Sequence, residues 1–307
     1  MWIYMKPTIT PLRYPGGKTW LLPYVTKFLT INNIKLDTIV EPFAGSASIS
    51  IGLLTQKLAE YAYICENDPL IFSFWNSVFK KNDELVETIK NLEINLDTWY
   101  DFRKYISIDA YQKYNELELA TAFIFYNRTN FSGIIKAGPL GGKRQLSKYK
   151  LQCRFNVNII VKKIKALDNL SEKITLKLLD GIELLENFND YDDIGNVFFY
   201  VDPPYYNAGK MLYRYYFTDK EHRKLANVLN HLKQPWLLSY DNAEFIQTLY
   251  QNDESFSVYT NHQSGHFRKG VEELLISNYR IPPLKSKINS LLQIPGESNE
   301  EIKITKH

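Results

Sequence analysis

The sequence predicts an α/β fold built on a doubly wound, mostly parallel sheet, and two observations carry that prediction. Three short apolar runs each end in an acidic residue followed by turn formers: Thr38-Ile39-Val40-Glu41-Pro42, Tyr63-Ile64-Cys65-Glu66-Asn67-Asp68-Pro69 and Val197-Phe198-Phe199-Tyr200-Val201-Asp202-Pro203-Pro204. Continuous apolar runs of this length read as strands buried on both faces. Two further runs, Trp236-Leu237-Leu238-Ser239-Tyr240 and Glu273-Leu274-Leu275-Ile276-Ser277, lie in the C-terminal third, with a helical pattern from about Asp219 to Leu232 between strands. Strand and helix therefore alternate, as a doubly wound sheet requires. In such sheets ligands bind beyond the carboxyl ends of the strands, where the strand order reverses. An acid at a strand end thus points into a site.

Composition narrows the class without naming a partner. Of 307 residues, 45% are hydrophobic and 23% charged, which excludes collagen-like, disordered and disulfide-scaffold proteins. The net charge of +3 is too small to argue for nucleic acid, so charge distribution has to decide. Cys65 and Cys153 are far apart and lack ligand spacing, so the expectation is reduced thiols and no metal. The N-terminus has no apolar core before Lys6, and no run reaches the ~18 apolar residues of a membrane span. A cytoplasmic protein with no membrane partner is expected. Aromatic residues make up 14%, a surplus that suits base stacking as well as core packing.

Taken in order, the first motif is Arg13-Tyr14-Pro15-Gly16-Gly17-Lys18-Thr19. It ends like a phosphate loop, but Leu12 stands where that pattern needs glycine, and no strand precedes it. What remains is a Gly-Gly turn presenting Lys18. Next, Glu41-Pro42-Phe43-Ala44-Gly45-Ser46-Ala47-Ser48 links a strand end to a helix-compatible run, Ile49 to Leu58. Small residues there let backbone approach a ligand, and the helix start offers unpaired N–H groups. The G-x-G-x-x-G fingerprint is absent, which argues against a dehydrogenase. Glu66, ending the next strand, is placed to accept both hydroxyls of a ribose; Asp68 is its rival, and either can instead cap the helix near Pro69.

From about Trp75 to Leu170 the alternation gives way to helical patterns and a Gly-rich stretch, Phe131 to Arg144. Residues 76–170 therefore form an inserted, mainly helical domain between the two parts of an α/β domain, 1–75 and 171–280. Residues 281–307 form a C-terminal tail. Between Lys136 and Lys177 there are 11 basic residues against two acids, interleaved with Tyr149, Phe155 and Asn156, a mixture suited to phosphates and bases. The last motif, Asp202-Pro203-Pro204-Tyr205, follows a five-residue apolar strand. Two prolines end the strand in a rigid turn that fixes an acid, a carbonyl and an aromatic ring relative to one another. An exocyclic amine needs those three groups. His262 and His266 stand in a loop-like segment, Thr260 to Lys269, read as lying near the partner rather than as a metal site.

Arg13-Tyr14-Pro15-Gly16-Gly17-Lys18, then Glu41 to Ser46, then a strand-end acid, the basic insert and Asp202 to Tyr205, in that order, resemble the Dam-like class of S-adenosylmethionine-dependent DNA adenine-N6 methyltransferases. The resemblance covers about residues 10 to 280. It implies a Rossmann-like methyltransferase fold, S-adenosylmethionine as cofactor, double-stranded DNA as partner and residues 76–170 as target-recognition domain. A cognate restriction endonuclease is left open. Carried over, Tyr14 and Lys18 touch the cofactor, Phe43, Ala44, Gly45 and Ser46 flank its methionine moiety, Glu66 holds its ribose, and Asp180 faces the adenine amine. Asp202 and the Pro203 carbonyl accept hydrogen bonds from N6 of a flipped-out adenine, Pro204 stiffens the turn, and Tyr205 stacks on the base. Asn127 to Lys136 resembles the start of the DNA-contacting hairpin, so Asn130 is expected at the DNA and Arg128 or Lys136 at a guanine. Lys143, Arg144, Lys148 and Arg154 are expected on phosphates. Gly138 to Gln145 departs from the GATC-specific pattern. Other acceptors, cytosine N4, RNA or a protein amide, and an inactive DNA-binding scaffold are the alternatives.

Overall fold

Among the described residues seven strands form one sheet: β1 Thr38–Glu41, β2 Tyr61–Glu66, β3 Ile174–Leu178, β4 Val197–Val201, β5 Trp236–Asp241, β6 Glu254–Thr260 and β7 Val271–Ser277. These come from a computed structural model that describes residues 10–13, 16–188, 195–251, 254–260 and 271–282. The spatial order is β3-β2-β1-β4-β5-β7-β6. Strands β1 to β5 are parallel, and β7 runs antiparallel to both β5 and β6. The order reverses between β1 and β4, so the crevice beyond their carboxyl ends is the predicted switch point. Each apolar run of the sequence became a strand; β6 carried no such run and was not foreseen.

Helices cover both faces: α1 Leu22–Ile31, α2 Ser48–Thr55, α3 Pro69–Lys80, α4 Asn82–Lys90, α5 Leu96–Asp101, α6 Glu116–Thr129, α7 Val157–Leu167, α8 Gly181–Glu186, α9 Gly209–Leu212, α10 Asp219–His231 and α11 Glu244–Leu249. The period-two alternation of the strands sorts the core into two layers. Ile39, Ile64, Phe198, Tyr200 and Leu237 face α1, α2, α3 and α6. Val40, Cys65, Phe199, Val201, Trp236 and Leu238 face α8, α10 and α11.

Residues 76–170 are mainly helical, with turns from 134 to 150 and no strand among them. They enclose no separate core. Leu85, Val86, Ile89, Phe123, Ile160 and Ile164 belong to the same cluster as Ile39 and Phe198, with α6 packed along α3. An Asn115/Glu118 capping box starts α6, satisfying its first free N–H groups. The insert is therefore fixed to the sheet by helix packing, and one wall of the crevice comes from it. Among the described residues no helix is long and apolar enough to cross a membrane, and no group of three or more His, Cys, Asp or Glu side chains could hold a metal ion.

Candidate active site

Four strand ends meet at one cleft of about 300 Å3. After β1 the chain turns sharply through Gly45 and Ala47, both with positive φ, before α2 begins. The turn is tied to β2: the Ala44 N–H donates to the Cys65 carbonyl at 2.8 Å, and the Gly45 N–H donates to Glu66 Oε2 at 3.0 Å. Glu66 Oε1 accepts the Asp68 N–H at 2.9 Å. Asp68 is committed elsewhere: it caps α3 through the Leu70 N–H and pairs with Arg214 at 3.1 Å. Of the two rivals for a ribose, Glu66 is the one without a cationic partner among the described residues.

Asp180 caps α8, accepting the Ile182 and Glu183 N–H groups through Oδ1, and lines the same cleft. Phe43 packs edge-on against Phe217, and the Gly181 backbone lies flush on its ring: a Cβ at 181 would come 2.5 Å from Phe43 Cε1. Only glycine permits that approach. Ala44, Gly45 and Ser46 complete this wall.

At the acceptor end, the prolines stop β4 and turn Asp202 into the cleft. Lys18 Nζ donates to both Asp202 oxygens, at 2.7 and 3.0 Å, to Tyr205 Oη at 2.7 Å and to the Gly16 carbonyl at 3.0 Å. Tyr205 in turn donates to Glu273 Oε1 at 2.6 Å, and Ser239 donates to Asp202 Oδ1 at 2.8 Å. Asp241, at the end of β5, accepts the Tyr206 and Asn207 N–H groups at 2.8 Å each and so pins the turn beyond the prolines. Lys18 is 2% exposed, while the Asp202 side chain keeps 21% exposed. The buried corner thus leaves one carboxylate face open.

Charge in the cleft is predominantly acidic. Burial lowers the pKa of Lys18, but Asp202 and Glu273 overcome that and raise it, so the ammonium persists. Burial pushes Glu41 up to about 8, against the hydrogen bonds of the Ser50 N–H and hydroxyl, and pushes Glu66 up to about 7, helped by Asp68. Burial and Glu273 also raise Asp202, opposed by Lys18. Carboxyl groups held above their ordinary range by burial return to the charged form when a cation enters.

The far wall is the segment Leu212 to Phe217, which Arg214 straps across the cleft by its ion pair to Asp68 and a 3.2 Å hydrogen bond to the Ser107 carbonyl. Sequence reasoning missed Arg214, for which no signal exists. It also missed Asp241, Ser239 and Glu273, for which signals did exist: Asp241 is another strand-end acid, and the other two are polar residues inside apolar runs.

Two expectations need amendment. Tyr205 is buried, and the Lys18 ammonium sits 4.9 Å from its ring centroid, so the ring does not present an open face; it serves the corner through its hydroxyl. Asn130 is 0% exposed: its Oδ1 accepts from Trp99 Nε1 and its Nδ2 donates to the Ile134 and Ile135 carbonyls, so it organises the turn after α6 instead of facing DNA. Arg128 is half-buried. By contrast Lys136, Lys143, Arg144, Lys148 and Arg154 are exposed, with Lys136 5.7 Å from the Tyr216 ring at the mouth of the cleft. Tyr14 and the stretch holding His262 and His266 lie outside the described residues.

The fold and the site together define a class: an α/β protein whose ligand cleft ends in an Asp-Pro-Pro-Tyr corner with one carboxylate face open. The family model for D12 class N6 adenine-specific DNA methyltransferases matches residues 14–264, and the chain belongs to that family. It is accordingly an adenine-specific DNA methyltransferase with S-adenosylmethionine as methyl donor. No curated protein matches the chain. Among solved structures it is similar to M. capricolum TrmK in complex with the natural cofactor product S-adenosyl-homocysteine, at 10% identity over 86% of this chain and 73% of that chain, with a TM-score of 0.32. A likeness at that level adds nothing to the assignment.

The cleft fits that donor on its own chemistry. Six carboxyl groups, Glu41, Glu66, Asp68, Asp180, Asp202 and Glu221, line it against two cations, and apolar Phe43, Ile71, Phe123 and Ile134 supply a dry wall. A cationic, ribose-bearing, partly aromatic molecule matches such a lining.

Proposed function

We propose that the chain is a Dam-like, site-specific enzyme that methylates N6 of an adenine flipped out of duplex DNA, with Asp202 as the acceptor of the N6 hydrogens. The observation that carries this reading is the Asp202 carboxylate. It is gripped from behind by Lys18 and Ser239, open on its cleft side, and fixed by a Pro-Pro turn at the strand next to the Glu41–Ser46 loop.

S-adenosylmethionine supplies an activated methyl group on a positive sulfur, so orientation and electrostatics are what the protein adds. Glu66 accepts the ribose hydroxyls, Phe43 to Ser46 flank the methionine end, and Asp180 stands by the adenine amine. An incoming N6 takes over one of the two contacts that Lys18 makes with Asp202, while Gly16 and Tyr205 keep the ammonium in place. Asp202 and the Pro203 carbonyl then accept both N6 hydrogens and leave the lone pair directed along the cleft. With Tyr205 turned to its hydroxyl partners, the base lies against the wall of Tyr213, Tyr215 and Tyr216. Exposed Lys143, Arg144 and Lys148 are placed for backbone phosphates, and Lys136, at the mouth, for a base edge.

The test is transfer of tritiated methyl groups from S-adenosylmethionine to unmethylated duplex DNA, with nucleoside analysis and mapping. N6-methyladenine at one recurring sequence is expected. N4-methylcytosine, or label appearing only in RNA or protein, would overturn the reading.

A further inference from the structure

Beside the active cleft, three arginines and a lysine from four separate stretches lie close enough to repel one another. Arg13 is clamped to the end of α6: its N–H donates to Asn127 Oδ1 and its carbonyl accepts from Asn127 Nδ2, both at 2.8 Å. Gly133, at φ +76°, presses on the same carbonyl so closely that a Cβ would fall 2.1 Å from the oxygen. Arg128 follows Asn127 directly. Lys163, on α7, donates to the Thr10 carbonyl at 3.0 Å, which draws α7 to the stretch carrying Arg13, and Arg154 ends the turn 151–154.

The charges feel one another. Burial and Arg154 lower the pKa of Arg13; burial, Arg13 and Arg154 lower that of Arg128 to about 10; burial and Arg128 lower that of Lys163. Among the described residues no carboxylate pairs with any of the three arginines. Arg13 Nη1 and Arg128 Nε are buried without a hydrogen-bond partner there. Half-buried like charges with buried, unmet donors are unfavourable alone and are resolved by an anion, and guanidinium forks match phosphate oxygens. Asn127 and Gly133, which build the cluster, also line the active cleft.

We propose that Arg13, Arg128, Arg154 and Lys163 form one seat for a single backbone phosphodiester of the bound duplex, next to the target nucleotide, and that Arg128 holds this phosphate instead of reading a guanine. The proposal rests on the DNA reading above. It places Arg13 and the insert on the same phosphate, so binding the backbone braces the wall of the cleft that Asn127 and Gly133 form.

The full chain and its Arg128→Met and Arg154→Ala variants are compared in two measurements. Thermal unfolding is followed with and without inorganic phosphate, and duplex affinity is measured over a salt series on several unrelated sequences. Phosphate is expected to raise the melting temperature of the wild type and not of Arg128→Met. Arg128→Met is expected to weaken every duplex by a common factor of about tenfold. It should also make the slope of log K against log salt shallower by about 0.9. Should Arg128→Met not fold, exposed Arg154→Ala carries the same readouts. Relaxed preference at one base pair with an unchanged salt slope would make Arg128 a base reader and overturn the proposal. So would a wild type indifferent to phosphate together with variants that bind duplex normally. Methyl transfer by the wild type is scored alongside: its absence with the phosphate response intact would remove the methylation reading and leave the anion seat.

Discussion

At the carboxyl edge of the sheet, side chains are placed by strand register; in the insert, residues 76–170, they are placed by helix packing. The consequences differ. Glu41, Glu66, Asp202 and Asp241 each stand at or just beyond the last residue of a parallel strand, and all four reach the cleft or the turn beside it. In the insert, neighbours in sequence have opposite fates: Asn130 is sealed in the turn after α6, Arg128 is half-buried among other cations, and Lys143, Arg144 and Lys148 are exposed. A strand end fixes where a side chain goes before any tertiary contact is known; a helix end does not.

Breaking a buried insert contact should have the larger thermodynamic effect. Asn130→Ala removes the partner of Trp99 Nε1 and of the Ile134 and Ile135 carbonyls. A stability loss of about 2 to 4 kcal/mol in urea unfolding is expected. Duplex affinity should be unchanged where the variant is folded. Weakened DNA binding at unchanged stability would return Asn130 to the interface and erase the contrast between the two regions.

A smaller effect sharpens the strand-edge side. Glu66 is raised by burial to about 7, above its ordinary value of 4.5, so the folded empty chain binds its proton more tightly than the unfolded chain does. Its contribution to stability is therefore fully present below pH 4.5 and is lost as pH rises through 7; Glu41, raised to about 8, has the same sign. The charged carboxylate is the better acceptor for ribose hydroxyls and the better partner for a cation. Affinity for S-adenosylmethionine should thus rise with pH, by up to about tenfold per unit below 7. Calorimetric titration between pH 6 and 8 reads this, and Glu66→Gln should flatten it; an identical slope in the variant would assign the dependence to another group.

Most of the sheet was legible because buried parallel strands are continuous apolar runs, and β1, β4 and the acids after them sit where those runs stop. The helix capped by Asp68 was legible too, from Asp-Pro at its start. β6 was not, since Glu254, Ser255 and Ser257 interrupt its apolar pattern at the sheet edge. Glu273 was read only as the start of an apolar strand; its pairing with Tyr205 and Lys18 joins residues far apart in sequence and depends on β7 running antiparallel to β5. Arg214 became a strap through a turn whose path no local pattern encodes. Tyr205 was recognised by its motif, yet its orientation follows from Lys18 donating to its hydroxyl oxygen and Glu273 accepting its hydroxyl proton.

The central claim is that the acceptor chemistry resides in the Asp202 corner and not in the DNA-binding surface. Single-turnover methyl transfer to duplex DNA by Asp202→Ala, with duplex affinity measured on the same protein, tests it most directly. Transfer should fall by at least about 10³-fold, the scale of removing an oriented group that acts in the transition state. The dissociation constant for the duplex should stay within about threefold, the surface being intact. Transfer at the wild-type rate would contradict the account.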